Sequence, residues 1–184
     1  MTTENLTIPE LISKFPSVVS GSEDDTARVA AALAGEVYGG LSVILSGEIG
    51  TGKTVVAREM ALSLGVIGVK SPTFATESVY RVPGKAFGLV HADLYRFDDV
   101  LPGSDTAMQF EEYLSGGENL LLAEWGERWK TPPVSDRWQI DISADRGPGS
   151  GEIRVFSFDA FGERAHRRLA AAYEKILDIS RPCL

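Results

Sequence analysis

Residues 47–54 read Gly47-Glu48-Ile49-Gly50-Thr51-Gly52-Lys53-Thr54 and match the pattern G-x-x-x-x-G-K-[ST] at every fixed position. The flanks are those the pattern needs. Residues 41–46 form a short apolar run that predicts a buried strand. Val56, Met60 and Leu64 then recur four apart, as one face of a helix over 53–64. Strand, glycine loop, helix is the context in which such a loop cradles phosphate. A chain built around this unit is an α/β domain, with a mixed sheet covered by helices.

The chemistry follows from the residue types. Gly47, Gly50 and Gly52 allow backbone conformations closed to other residues, so that successive N–H groups converge on one anion. The helix that starts near Lys53 adds its positive dipole end. Lys53 supplies a point charge for the β- and γ-phosphates, and the Thr54 hydroxyl is placed to ligate Mg²⁺. Glu48, Ile49 and Thr51 complete the loop that surrounds the phosphates. The bland alternative is a glycine-rich turn with a chance Lys-Thr. The flanking strand and helix favour a nucleoside-triphosphate site.

Composition bounds the rest. The chain has 184 residues, enough for one α/β domain with a proper core and short for two. Its formal net charge of −8 predicts a surface that repels nucleic acid, so any RNA connection passes through a partner protein or a local patch. A single cysteine, Cys183, excludes an internal disulfide framework and a cysteine-based metal site. No apolar run has the length of a membrane span, and the start lacks the pattern of a signal peptide, so the expectation is a cytoplasmic protein.

Along the chain, residues 1–14 form a loose lead-in, and residues 15–20 an edge strand carrying Pro16. Ser22-Glu23-Asp24-Asp25 predicts a helix start, with Val29, Leu33 and Val37 on one face and Gly39-Gly40 as the stop. After the loop helix, residues 75–82 and 86–92 read as a hairpin about Pro83-Gly84. A short helix covers 108–114, and residues 119–123 are a second fully apolar strand. Residues 137–143 and 152–159 alternate as another hairpin, turning at 147–151. An amphipathic helix over 162–178 closes the chain, with Ala165, Leu169, Tyr173 and Ile176 inward. Residues 1–184 are expected to form one domain.

A phosphate loop needs a carboxylate at the end of a neighbouring strand, to serve Mg²⁺ or the attacking water. Asp93 and Glu124 both end apolar strands. The alternative for each is an ordinary strand-end cap. Glu124 is favoured because its strand is fully apolar, as expected beside the loop strand of a central sheet. The division of roles between the two stays open. Ser71-Pro72-Thr73 reads either as a switch loop for the γ-phosphate or as a plain strand entry. Trp125 reads as core or as a neighbour of the site, and His91 as a structural histidine. Arg96 and Arg128 are candidate charge donors, against the commoner surface role. Arg164, His166, Arg167 and Arg168 read as a solvated helix face rather than a docking surface.

In this order, the phosphate loop, Ser71-Pro72-Thr73-Phe74, His91-Ala92-Asp93-Leu94-Tyr95-Arg96 and Glu124-Trp125 resemble a known family. It is the bacterial P-loop ATPase of tRNA threonylcarbamoyladenosine biosynthesis, the TsaE (YjeE) family. The likeness spans roughly residues 20 to 160. It implies a P-loop NTPase-like fold, ATP with Mg²⁺, and hydrolysis that is weak alone. It implies work with a threonylcarbamoyl transferase subunit and its paralogous scaffold subunit, with tRNA met only through that complex. By position, Lys53 and Thr54 take the phosphate and metal roles, Thr73 the switch role, and Asp93 and Glu124 those of the essential carboxylates. Trp125 is then close to the nucleotide. Glu48, Ile49 and Thr51 stand where the family often has Asp, Leu and Ala, and Ala92 where a bulkier residue is common. Two rivals remain from the residues themselves: a small-molecule kinase, and a nucleotide-gated binding module whose hydrolysis is incidental.

Overall fold

The computed structural model describes residues 12–69, 77–97, 99–130, 132, 136–145 and 153–180. The Ser71-Pro72-Thr73-Phe74 motif, the turn at 147–151 and Cys183 lie outside the described residues. Among the described residues, seven strands form one sheet: β1 (Ile12–Ser20), β2 (Ser42–Ser46), β3 (Glu77–Arg81), β4 (Gly88–Asp93), β5 (Asn119–Glu124), β6 (Arg137–Asp145) and β7 (Ile153–Phe161). Their spatial order is β1-β7-β6-β2-β5-β4-β3. The helices are α1 (Glu23–Ala34), α2 (Lys53–Ser63), α3 (Asp105–Leu114) and α4 (Glu163–Ser180).

The phosphate-loop strand β2 lies mid-sheet and is buried at every residue. It pairs in parallel with β5 on one side and with β6 on the other. A strand covered on both faces reads as continuously apolar, which is why residues 41–46 show no alternation. The two predicted hairpins form as antiparallel pairs β3–β4 and β6–β7. Successive side chains point to opposite faces of a strand. Val43, Leu45, Leu120, Leu122 and Trp138 accordingly pack with α1, α2 and α4. Ile44, Leu121, Ala123, Val90 and Ala92 pack with α3 on the other face. The sheet is mixed and flanked by helices, as expected.

Among the boundaries that differ from the sequence expectation, three have a visible physical cause. The first helix stops at Ala34, capped by the Gly35 N–H bonding to the Ala31 and Leu33 carbonyls, and does not run to Gly39-Gly40. Those glycines serve close packing instead: a Cβ at Gly39 would stand 1.9 Å from the Gly117 carbonyl oxygen. Val37 is still buried, but in the connection. The third helix starts at Asp105 because Ser104 caps it, accepting from Ala107 N at 3.3 Å. The edge strand β1 begins before Phe15 and carries a register shift between Phe15 and Val18, around Pro16.

On α4, Ala165, Leu169, Tyr173 and Ile176 are buried as expected. Its basic residues are engaged within the molecule. Arg168 bonds Glu36 at 2.8 Å, Arg167 bonds Glu163, and the Arg164 guanidinium lies 3.8 Å from the Tyr38 ring centroid. His166 stacks on Phe15.

Candidate functional site

The loop joins β2 to α2 at the carboxyl edge of the sheet. Gly47 has φ +141°, and a Cβ there would lie 2.1 Å from the Ile142 carbonyl oxygen of β6, so only glycine lets the chain pass. Gly50 and Gly52 also take positive φ, and Gly52 caps the N-terminus of α2. The Thr51 hydroxyl donates to the Glu48 carbonyl at 3.0 Å, closing the loop on itself.

Lys53 is 4% exposed and folds back over the loop. Its Nζ donates to the Gly47 and Glu48 carbonyls at 2.6 and 2.8 Å. The same nitrogen sits 3.6 Å from the Trp125 ring centroid, a cation–π contact. Burial lowers the Lys53 pKa from its ordinary value, while Glu127, Glu124 and Asp93 act to keep the proton on.

Glu124 ends β5, completely buried, and its two oxygens have different partners. Oε2 accepts from the Thr54 hydroxyl at 2.6 Å, and Oε1 lies 2.9 Å from His91 Nε2. A carboxylate accepts, so that nitrogen is assigned as the donor. His91 is 1% exposed, and among the described residues its Nδ1 meets no polar partner, which suits the tautomer protonated at Nε2. The chain Thr54–Glu124–His91 therefore ties the first turn of α2 to β5 and β4.

Asp93 pairs in register with Glu124 across β4 and β5. Its Oδ1 accepts from Tyr95 N at 3.0 Å and caps the short turn Leu94–Arg96. That is the strand-end role weighed above, set one strand from Glu124. The Tyr95 ring meets the Trp125 ring with centroids 4.7 Å apart. Trp125 is the one described non-glycine residue with positive φ, +63°. The next residue, Gly126, packs so closely that a Cβ there would stand 2.1 Å from Ile44 Cγ2. The chain must turn sharply off β5 there, and the bend aims the indole at Lys53. Strain of this kind, on the order of 1–3 kcal/mol, collects at functional sites.

Two cavities flank the loop. One of about 760 Å³ lies on the β6–β7 side, with Glu48, Ile49, Asp141, Ser143 and Ser157 in its wall. The other, about 660 Å³, is walled by Ser46, Glu48, Tyr95, Trp125 and Glu127. The predicted residues Gly47–Thr54, Glu124 and Trp125 are thus brought together, with Asp93 beside them. Thr73 lies outside the described residues. Arg96 is exposed on the turn after β4, and Arg128 lies in the turn after Trp125. In the sequence His91 reads as a structural histidine, without its bond to Glu124, and Arg154 carries no reading at all. A lone polar residue inside an apolar strand beside one ending in Glu124 was the available signal for His91; nothing local marked Arg154.

Among the described residues, no cluster of three or more His, Cys, Asp or Glu is placed to hold a metal alone. The Thr54 hydroxyl and the Glu124 carboxylate are hard oxygen donors, and a pair of these suits Mg²⁺, which fills its shell with phosphate oxygens and water.

A family model described as threonylcarbamoyl adenosine biosynthesis protein TsaE matches residues 20–150. The chain belongs to the TsaE family. It is 35% identical over 123 residues to the tRNA threonylcarbamoyladenosine biosynthesis protein TsaE of Streptomyces coelicolor, covering 66% of this chain and 81% of that protein. The Aquifex aeolicus protein of the same name is 35% identical over 117 residues, covering 61% and 78%. The crystal structure of Bacillus subtilis YdiB superposes with a TM-score of 0.67 at 23% identity, covering 89% of this chain and 97% of that one. The P-loop NTPase-like fold of the TsaE family is thereby shown for this chain, and with it a nucleotide-binding architecture. Among the described residues, no helix is long and apolar enough to cross a membrane.

Proposed function

We propose that this chain is an Mg²⁺-dependent ATPase of tRNA threonylcarbamoyladenosine biosynthesis, serving in the cytoplasm a complex of threonylcarbamoyl transferase and its paralogous scaffold subunit. The observation that carries the reading is the 2.6 Å bond from the Thr54 hydroxyl to the buried Glu124 carboxylate. It sets a metal-competent oxygen pair at the residue next to Lys53, inside a TsaE-family fold.

ATP lies with its β-phosphate in the loop amides of 47–54 and the helix N-terminus. Lys53 exchanges the Gly47 and Glu48 carbonyls for the β- and γ-phosphate oxygens. Mg²⁺ would be held by Thr54 and Glu124, and when bound it neutralises charge on the phosphates. Asp93, in register with Glu124, orients the attacking water. Water attacks the γ-phosphorus in line, the bond to the bridging oxygen breaks, and ADP and phosphate leave. Trp125 covers Lys53 from the side opposite the loop, and Thr73 serves as the switch residue. The nucleoside extends into the cavity lined by Asp141, Ser143 and Ser157, away from these groups. The net charge of −8 supports contact with tRNA only through the complex.

The test is ATP hydrolysis with and without the purified transferase and scaffold subunits, with Lys53→Ala as the blank. Slow hydrolysis alone, faster in the complex and abolished in the variant, is expected. A chain that ignores those subunits and phosphorylates a metabolite overturns the reading in favour of a kinase.

A further inference from the structure

A second cation approaches the loop from the side opposite Trp125. Arg154 sits on β7, in register with Ala144 of β6 and Ser20 of β1, beyond the family match that ends at residue 150. It is 9% exposed. Its Nε donates to the Thr51 carbonyl at 3.2 Å. The guanidinium packs against Gly52, where a Cβ would stand 2.8 Å from Nε and 3.6 Å from Cζ. Position 52 therefore lacks a side chain for two reasons: its φ of +99° and the arginine behind it.

The bond has a directional consequence. The Thr51–Gly52 peptide is trans, as are all the described peptide bonds. In a trans peptide the C=O and the N–H point in opposite directions. With the Thr51 oxygen held towards β7, the Gly52 N–H faces away from β7, into the bend where loop amides converge on an anion. A charged donor on the carbonyl also polarises that amide, making its N–H a stronger donor.

We infer that Arg154 is a positioning residue for the nucleotide: it locks the Thr51–Gly52 peptide so that the Gly52 N–H is presented to the β-phosphate. The residue never touches the nucleotide. Lys53 serves the phosphates from the front of the loop, and Arg154 sets the loop from behind. The inference rests on the nucleotide-binding reading of residues 47–54.

The experiment is calorimetric titration of ADP into wild type, Arg154→Gln and Arg154→Lys, with thermal melts of each protein alone. ADP is expected to bind Arg154→Gln about tenfold more weakly or worse, as for loss of a hydrogen bond to a charged group. Arg154→Lys, which keeps a charge and a donor, is expected to recover part of the loss. A folded Arg154→Gln with wild-type ADP affinity overturns the inference, whatever its melting temperature. If Arg154→Gln does not fold, the Gly52 amide resonance in Arg154→Lys decides. A smaller downfield shift on ADP binding than in wild type is expected, and an identical shift overturns the inference. A wild-type chain that binds no ADP instead removes the nucleotide reading itself.

Discussion

The Thr54 hydroxyl and the Glu124 carboxylate, 70 residues apart, meet at 2.6 Å across the seam between α2 and β5. Glu124→Gln keeps the size and a hydrogen-bonding oxygen but removes the charge. Hydrolysis in the partner complex should fall by about 10²–10⁴-fold, the range for loss of a positioned acid–base or charge-bearing group. ADP binding should persist. Steady-state hydrolysis over an Mg²⁺ titration is the check, and full activity in Glu124→Gln would take this residue out of the site.

His91 holds the other oxygen of Glu124 at 2.9 Å in a fully buried setting. His91→Ala leaves that oxygen without its donor, at a cost of roughly 1–3 kcal/mol in stability. His91→Gln can return a donor at a similar reach, so both stability and hydrolysis should partly recover. Denaturant melts alongside hydrolysis rates test this. If Ala and Gln behave alike, the histidine fills space and does not orient Glu124.

Trp125 is half-buried against Lys53, whereas Trp129 and Trp138 are 3% and 0% exposed. Nucleotide must draw the Lys53 ammonium off the indole face, so intrinsic fluorescence should change as ADP binds. Trp125→Phe should silence the change while ADP still binds by calorimetry. A fluorescence response that survives in Trp125→Phe would place the reporter elsewhere.

Glu36 accepts from Lys175 at 2.6 Å and from Arg168 at 2.8 Å. The Lys175 bond, aided by Arg168 and opposed by partial burial, holds its pKa below the ordinary 4.5. A depressed folded-state pKa stabilises the fold above the unfolded value, and that contribution is lost as pH falls through the folded one. Wild type should therefore melt above Glu36→Gln at pH 7, by an amount near the upper part of the roughly 0.2–1 kcal/mol range of exposed pairs. The gap should close below pH 4.5. Melts from pH 7 down through the carboxylate range read it directly, and a constant gap would argue against the ion pair.

Much of this was legible in residue order because local rules decided it. The buried strand β2, the loop, the two hairpins and the inward face of α4 each follow from a period or a turn signal, and tertiary packing agrees with all of them. Glu124 could be preferred over Asp93 because an apolar strand belongs mid-sheet, and β5 does pair with β2. What escaped depended on contacts remote in sequence. Gly39 looks like a helix stop, yet its smallness answers to Gly117. His91 looks structural until Glu124 is seen against it. Arg154 reads as one more charge on an alternating strand until β7 is laid beside the loop.

The central place of β2 also bears on the order in which the chain assembles during synthesis. Its pairing residues, such as Leu121 and Trp138, are made some way after it, and the backbone bond at Thr51 waits for Arg154. Contacts of such long sequence separation are slow to close. A nascent chain therefore carries its glycine loop without the Arg154 bond while roughly a hundred further residues emerge, about five to twenty seconds at ordinary synthesis rates. The loop, written by residue 54, becomes a pocket only when the far hairpin has left the ribosome.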